Sequence, residues 1–204
     1  MPLSRPLHQT SVDDLPSPDL RSDYELVKRA QTDPEAFATL YLRYIDVIHA
    51  HCYWRLRNRD AAEDATSQVF TQALAGLVRF DERRGSFRSW LFTIAHHVVV
   101  DHYRKSPNWG WLDSAAELPD TNLSPEDYAI MTEQERSLHA ALDELPARER
   151  QVVELRLAGL TGNEIGKVLG CRTGAVGIAQ FRAVRKLRAL LSTDETPVEG
   201  TRHV

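Results

Sequence analysis

Three histidines and an aspartate lie within seven residues of the segment IAHHVVVDHYRK, residues 94–105. Imidazole and carboxylate groups are ordinary metal ligands, so this cluster could be the metal site of a hydrolase. The same rings, followed by Arg104 and Lys105, could instead form a surface that contacts another molecule. The two hypotheses differ in whether the side chains converge on one point.

Helical spacing separates these side chains. At about 100° per residue, His96 and His102 point about 120° apart, and only His97 and Asp101 share a face. A zinc site needs three or four ligands, so this pair is too small. A structural pairing of His97 with Asp101 stays open. The sequence favours a ligand-facing surface, with no metal, no cofactor and no catalytic residue.

The same projection predicts which face of this helix is buried. We expect an inner side made of Trp90, Leu91, Ile94, Ala95, Val98 and, nearly, His102. The outer side should hold Phe92, His96, Val100, Tyr103 and Arg104, with His97 near its edge. Rings on an outer face can stack on unpaired bases while cations meet phosphates. Whether Phe87, just before this helix, is buried or exposed stays open.

The composition indicates a protein of a reducing compartment. The 204 residues are 42% hydrophobic and 26% charged, with a formal net charge of -4. The two cysteines, Cys52 and Cys171, are far apart, which argues against a disulfide scaffold or a zinc knuckle. No apolar run reaches the roughly 18 residues of a membrane span, and the N-terminus lacks the apolar segment of a secretory signal. We therefore expect a cytoplasmic protein.

Helical periodicity from Ser22 onward predicts an all-α fold with two small domains. Ser22 and Glu25 have the spacing of a capping box, and Asp33-Pro34-Glu35 indicates another helix start. The segment Pro107–Glu135 has seven acids and neither Lys nor Arg, which is typical of a linker. The expected order is a disordered leader (1–21), a four-helix domain (22–106), a flexible acidic linker (107–134), a second helical domain (135–191) and a flexible tail (192–204).

The second domain contains the pattern of a helix-turn-helix. A short helix over 161–169, opened by a Thr161–Glu164 capping box, leads through Gly170-Cys171-Arg172 into a longer helix over 173–191. A glycine allows the positive φ of the tight turn. Residues 161–191 carry six basic side chains and one acid, Glu164, for a net charge of +5. This charge favours DNA binding over a helical hairpin with a solvated basic face.

Two separate motif sets resemble one family. The segment LTGNEIGKVLGCRTGAV (160–176), the later RAVRKLR (182–188) and LDELPARERQVVEL (142–155) resemble region 4 of bacterial sigma factors. AEDATSQVF (62–70) and GSFRSWLFTIA (85–95), through DHYRK (101–105), resemble region 2. With both sets in this order and no other sigma regions, the chain is similar to the extracytoplasmic-function (ECF) group of the sigma-70 family.

The resemblance implies an alternative sigma factor that binds core RNA polymerase and directs promoter-specific transcription initiation. Its second domain would read the -35 duplex, with base-edge and phosphate candidates Arg172, Thr173, Arg182, Arg185, Lys186 and Arg188. Its first domain would read the melted -10 strand, with candidates Arg83, Arg84, Ser86, Phe87, Arg88, His96, His97, Tyr103, Arg104 and Lys105. The clamp helices of the polymerase's largest subunit would contact Glu63, Asp64, Gln68 and Gln72. An anti-sigma factor is a further expected partner.

One position departs from the family pattern. Gly177 stands where relatives usually carry Lys or Arg, and residues 174–181 hold no charge. An exposed apolar patch often binds a protein, so this face either contacts DNA weakly or meets an anti-sigma factor. Two rival functions stay open: a helix-turn-helix regulator that does not join RNA polymerase, and a metal-dependent hydrolase built on the histidines.

Overall fold

In the computed structural model, residues 20–105 and 132–193 are described, and within these ranges the chain forms eight α-helices. The first domain contains α1 (Leu20–Ala30), α2 (Pro34–Leu56), α3 (Arg59–Gly76) and α4 (Phe87–Lys105). The second contains α5 (Glu133–Asp143), α6 (Ala147–Leu157), α7 (Gly162–Val168) and α8 (Thr173–Thr193). The predicted all-α, two-domain fold is confirmed. Most of the predicted leader, linker and tail lies outside the described residues.

Local capping explains where α2 and α3 begin. The Asp33 carboxylate accepts the backbone N–H of Glu35 at 3.0 Å, and Pro34 occupies the first turn. The Asn58 side chain accepts the N–H of Ala61 at 2.8 Å. The Ser22 capping box is wrong, because α1 begins at Leu20 and Ser22 lies inside the helix.

The predicted faces of α4 are partly wrong. Leu91, Ala95 and Val98 are buried as expected, but so are Phe92 and Tyr103, which the projection placed outside. The ring of Phe92 packs edge-on against His51 of α2, and the Tyr103 hydroxyl donates to the Arg55 carbonyl. Helix α4 lies against both α2 and α3, so its buried arc is wider than a one-sided projection assumes. On the side predicted to be inner, Trp90 and Ile94 are half-buried and His102 is exposed.

The two domains pack against each other. Helix α4 lies on α7 and α2 contacts α6. One cluster of buried apolar side chains continues from Leu40 and Leu91 in the first domain to Ile165 and Val176 in the second. The contact places the first turn of α4 against α7, the short helix of the helix-turn-helix. Some of the candidate DNA-binding residues lie in or beside this turn.

Candidate nucleic-acid and polymerase interfaces

The helix-turn-helix has the predicted geometry. The Thr161 hydroxyl accepts the N–H of Glu164, and the Glu164 carboxylate accepts the N–H of Thr161 at 2.9 Å, which completes the capping box. Gly170 has φ of 61°, the left-handed conformation that the turn requires. A Cβ on Gly166 would lie 2.8 Å from the Cys171 carbonyl oxygen, so only glycine lets α7 and the turn approach this closely.

The whole candidate -35 surface is exposed. Arg172 and Thr173 lie at the start of α8, where the second helix of such a motif meets base edges. The later cations lie along the same helix, and all six candidates are exposed: Arg172, Thr173, Arg182, Arg185, Lys186 and Arg188. The Lys186 ammonium donates to the Glu144 carbonyl, which ties the middle of α8 to the end of α5. The arrangement presents a row of cations to a DNA backbone.

The candidate -10 residues are divided between exposed and engaged groups. Five are exposed in or beside the loop and along α4: Arg83, Arg84, His97, Arg104 and Lys105. His96 is half-buried. Phe87 is only 3% exposed, and its ring packs near Tyr44, Phe80 and Trp90. Phe87 and Tyr103 therefore offer no stacking surface in this conformation.

Ser86 and Arg88 are bound to the second domain. The Ser86 hydroxyl donates to the Glu164 carboxylate at 2.6 Å, and the Arg88 guanidinium donates to the Ala158 carbonyl at 2.5 Å. Burial opposes ionisation of Glu164, but the hydrogen bonds from Ser86 and Thr161 hold its pKa below the ordinary value. Gly159 has φ of 83° and leaves the space that the Arg88 guanidinium fills.

A cavity of about 290 Å³ adjoins the -10 loop. Its walls include Arg79, Arg84, Trp90 and Thr93 of the first domain and Lys167 of the second. Sequence reasoning missed Arg79 and Lys167 as members of this site. The basic charge of 161–191 was the available signal for Lys167, but only the domain contact places its ammonium beside Gly85.

The candidate polymerase-binding face lies on α3. Glu63, Asp64, Gln68 and Gln72 are all exposed. Beside them, a groove of about 430 Å³ between α2 and α3 is lined in part by Tyr41, Phe70 and Leu74. Tyr41 and Leu74 are partly exposed, whereas Phe70 is buried, so the two exposed side chains give the non-basic face an apolar border of the kind found at protein interfaces.

The histidines of α4 do not converge. The rings of His96 and His97 are 6.0 Å apart and tilted, and Asp101 lies 4.0 Å from Arg104 instead of pairing with His97. Over residues 20–105 and 132–193, no three His, Cys, Asp or Glu side chains are grouped as metal ligands.

Two imidazoles have lowered pKa values: His51 of α2, which lies beside Glu154 of the second domain, and His96 of α4. Burial, with Arg55 nearby, lowers the pKa of His51 to about 3 and that of His96 to about 4. His51 Nε2 is buried and has no hydrogen-bond partner among the described residues. At neutral pH both rings are therefore uncharged.

The capped short helix, the glycine turn and the exposed basic helix define a helix-turn-helix DNA-binding protein. The family model for Sigma-70 region 2 matches residues 40–107, and that for Sigma-70, region 4 matches residues 135–187. The chain belongs to the sigma-70 family, in its ECF group.

Curated relatives agree with this assignment. The ECF RNA polymerase sigma factor BldN of Streptomyces coelicolor is 37% identical over 175 residues, which are 83% of this chain and 66% of BldN. The ECF RNA polymerase sigma factor ShbA of Streptomyces griseus is 33% identical over 177 residues, which are 81% of this chain and 93% of ShbA. The chain thus spans just under two thirds of the first relative and nearly all of the second.

Among solved structures, CnrH in complex with the cytosolic domain of CnrY has the same fold, with a TM-score of 0.66. The match has 24% sequence identity and covers 85% of this chain and 99% of that one. No helix within the described ranges is long and apolar enough to cross a membrane.

Proposed function

We propose that this sigma factor binds core RNA polymerase in the cytoplasm, reads -35 duplex DNA with α8 and contacts the melted -10 strand with the loop and outer face around α4. It carries no catalytic activity of its own. The observation that carries this proposal is that all six -35 candidates are exposed on a helix-turn-helix. Phosphate contacts supply most of the affinity of such a surface, and Arg172 and Thr173 supply base readout.

The exposed face of α3 supports the polymerase contact. Glu63, Asp64, Gln68 and Gln72 form a non-basic patch, which is unsuited to DNA and suited to a protein partner. A helix-turn-helix regulator that acts without polymerase would need neither this face nor the aromatic and basic segment of 85–105. The metal-dependent hydrolase is disfavoured because the α4 histidines point apart.

An anti-sigma factor is part of the proposal. Ile178 is 57% exposed and Phe181 is 68% exposed, and both lie on the uncharged stretch of α8. Large apolar side chains exposed together fit a protein partner better than a phosphate backbone. If this face binds an anti-sigma factor, that partner competes with upstream DNA for α8.

Transcription in vitro tests the proposal. Core RNA polymerase of the same bacterium, a genomic template library and this chain should yield transcripts with defined start sites, mapped by sequencing. Arg172→Ala should weaken binding to the recovered -35 duplex by about 1–3 kcal/mol, because a base-edge contact is lost. Arg29→Ala, an exposed arginine of α1, is the matched control. The absence of any promoter-specific transcript would refute the proposed function.

A further inference from the structure

The side chain of Gln31, just after the end of α1, reaches the segment between α3 and α4. Its Nε2 donates to the Leu77 carbonyl at 3.1 Å and to the Phe80 carbonyl at 3.0 Å. Two carbonyl acceptors identify this atom as the amide nitrogen, because an amide oxygen cannot donate. The amide group therefore holds both the start of the 3₁₀ turn Leu77–Arg79 and the residue that ends it.

This turn has few apolar contacts of its own. Leu77 is 1% exposed and Phe80 is half-buried, but Val78 is 74% exposed and Arg79 is exposed as well. The last carbonyl groups of a helix lack acceptance partners within that helix, so they need donors from elsewhere. Gln31 supplies such a donor at the end of α3, and the backbone N–H of Phe80 donates to the same Leu77 carbonyl at 3.0 Å.

The turn leads directly into the -10 loop, residues 81–86. The Asp81 carboxylate accepts the N–H of Arg83 at 3.0 Å, and the Asp81 carbonyl accepts the N–H of Arg84 at 3.1 Å. These bonds are local, so they fix the shape of the loop but not its place on the domain. Its place is set where the loop begins, at Phe80, whose carbonyl is bound to Gln31.

The Gln31 amide is not itself a DNA contact. Its side chain is half-buried, and its nitrogen already donates twice within the protein. A loop that is held in one conformation before binding loses less conformational entropy when a strand binds. It also discriminates between bases better, because it cannot move to relieve an unfavourable contact. Gln31 can thus affect recognition through the loop.

We propose that Gln31 is a positioning residue for the -10 loop. Its amide holds the turn after α3, so that Arg83 and Arg84 meet the melted strand in one arrangement. This inference rests on the proposed function for its consequence in -10 recognition. The hold on the loop can be measured in the free chain, without polymerase or promoter.

Three variants of the full chain separate the hydrogen bonds from the packing. Gln31→Met has a similar length and no N–H group, so it removes both bonds and keeps most of the packing. Gln31→Lys keeps N–H donors at a similar reach and should behave as the unchanged chain does. Thr32→Ala is the matched control, because the Thr32 hydroxyl donates to the Arg29 carbonyl within the end of α1.

Amide hydrogen exchange of the free chain measures the hold on the loop. Four N–H groups are hydrogen-bonded within this segment, and their exchange reports its opening: Phe80, Arg83, Arg84 and Gly85. We expect these amides to exchange at least tenfold faster in Gln31→Met, with no change in the middle of α4. Gln31→Lys and Thr32→Ala should match the unchanged chain. Equal exchange in Gln31→Met and the unchanged chain would overturn the proposed hold.

Strand binding by the polymerase holoenzyme measures the effect on recognition. The probe is a fluorescein-labelled single strand with the non-template -10 sequence of a promoter found by start-site mapping, compared with copies in which one base is replaced. Gln31→Met should lower the preference for the natural strand at least fivefold. Affinity for -35 duplex should stay within about twofold, whereas a general loss of structure would weaken both.

The remaining outcomes distinguish the possible failures. Faster loop exchange with an unchanged base preference would overturn the positioning role. An equal loss of preference in Gln31→Lys and Gln31→Met would also overturn it, because N–H donors would then not be the cause. No base preference in the unchanged holoenzyme would overturn the proposed -10 contact and the role of Gln31 in it, and the exchange result would still decide whether Gln31 holds the loop.

Discussion

The two candidate DNA surfaces of this sigma factor are built in opposite ways. The -35 candidates lie at the start of and along one helix, α8, and all of them are exposed. The -10 candidates lie in a loop and along α4, and four of the ten are held by contacts with other parts of the protein: Ser86, Phe87, Arg88 and Tyr103. A surface carried by one helix is available as soon as that helix forms. A surface assembled where two domains meet depends on how those domains are arranged.

Removing one partner of the buried Arg55–Glu154 ion pair should have the largest effect on the difference in availability between the two candidate DNA surfaces. Glu154→Ala leaves Arg55 buried without its carboxylate, which destabilises the contact between the two domains by about 3–5 kcal/mol. Because the domains can separate and hydrate Arg55, we expect the loss to appear as opening, seen as faster proteolysis between the domains and stronger single-strand binding.

The matched control replaces both charges. Arg55→Met with Glu154→Met keeps the volume and removes the desolvation penalty, so the domains should stay closed. Equal single-strand binding by Glu154→Ala and the unchanged chain would contradict this account of the contact.

Acid should loosen the same contact through His51. Its pKa is about 3 when folded, against about 6.5 when unfolded, so its contribution to stability is complete above pH 6.5 and is lost as the pH falls toward 3. Between pH 8 and pH 5 the loss from His51 is about 2 kcal/mol.

Urea unfolding of His51→Gln and of the unchanged chain at several pH values measures the contribution of His51 to the free energy of unfolding, because Gln does not titrate. Burial raises the pKa of Glu154, so the contribution of Glu154 to stability falls as the pH rises above the ordinary pKa of a carboxyl group. Glu154 is present in both proteins, so it does not change the difference between them. If the free energy of unfolding depends on pH in the same way in both proteins, His51 is not buried in solution.

Gly159→Ala should loosen the -10 side of the contact. Alanine at φ of 83° costs about 1–2 kcal/mol, and its methyl group would displace the Arg88 guanidinium. Thermal unfolding reports the lost stability, and a slower cross-link between cysteines introduced at positions 86 and 164 reports that the two domains are displaced. Gly174→Ala, where nothing lies within 4 Å of the new methyl group, is the control and should be neutral or stabilising.

Gly177→Lys should have the smallest effect and should strengthen the -35 surface. No atom lies within 4 Å of a Cβ at this position, so the side chain can extend toward DNA. One added phosphate contact should raise affinity severalfold and steepen the salt dependence by about 0.9 in log–log slope. No gain in affinity would argue against weak DNA contact at this face and favour its use by a protein partner.

Local signals predicted the helix-turn-helix well. Thr161 and Glu164 cap α7 as their spacing indicated, and Gly170 adopts the positive φ that the turn needs. These features depend on atoms a few residues apart, so the order of residues is enough to specify them. The same reasoning failed at Ser22, where α1 begins two residues earlier and Asp23 accepts hydrogen bonds from Arg43 and Tyr44 of α2.

The -10 side could not be predicted to the same depth. The helical projection assumed one buried side for α4, whereas α2 covers a second side and buries Phe92 and Tyr103. Arg55 and Glu154 are 99 residues apart, and no periodicity links them. The same holds for Ser86 and Glu164, so no local sequence signal indicated that this loop contacts the second domain.

The sequence by itself determined the helical fold, the caps of α2 and α7, the basic charge of α8 and the family, because each rests on spacing within a helix or on residue type. Only the tertiary structure decided which side chains are available. Availability depends on what packs above a residue, and here α6 and α7 cover Ser86 and Arg88 while the -35 candidates stay exposed.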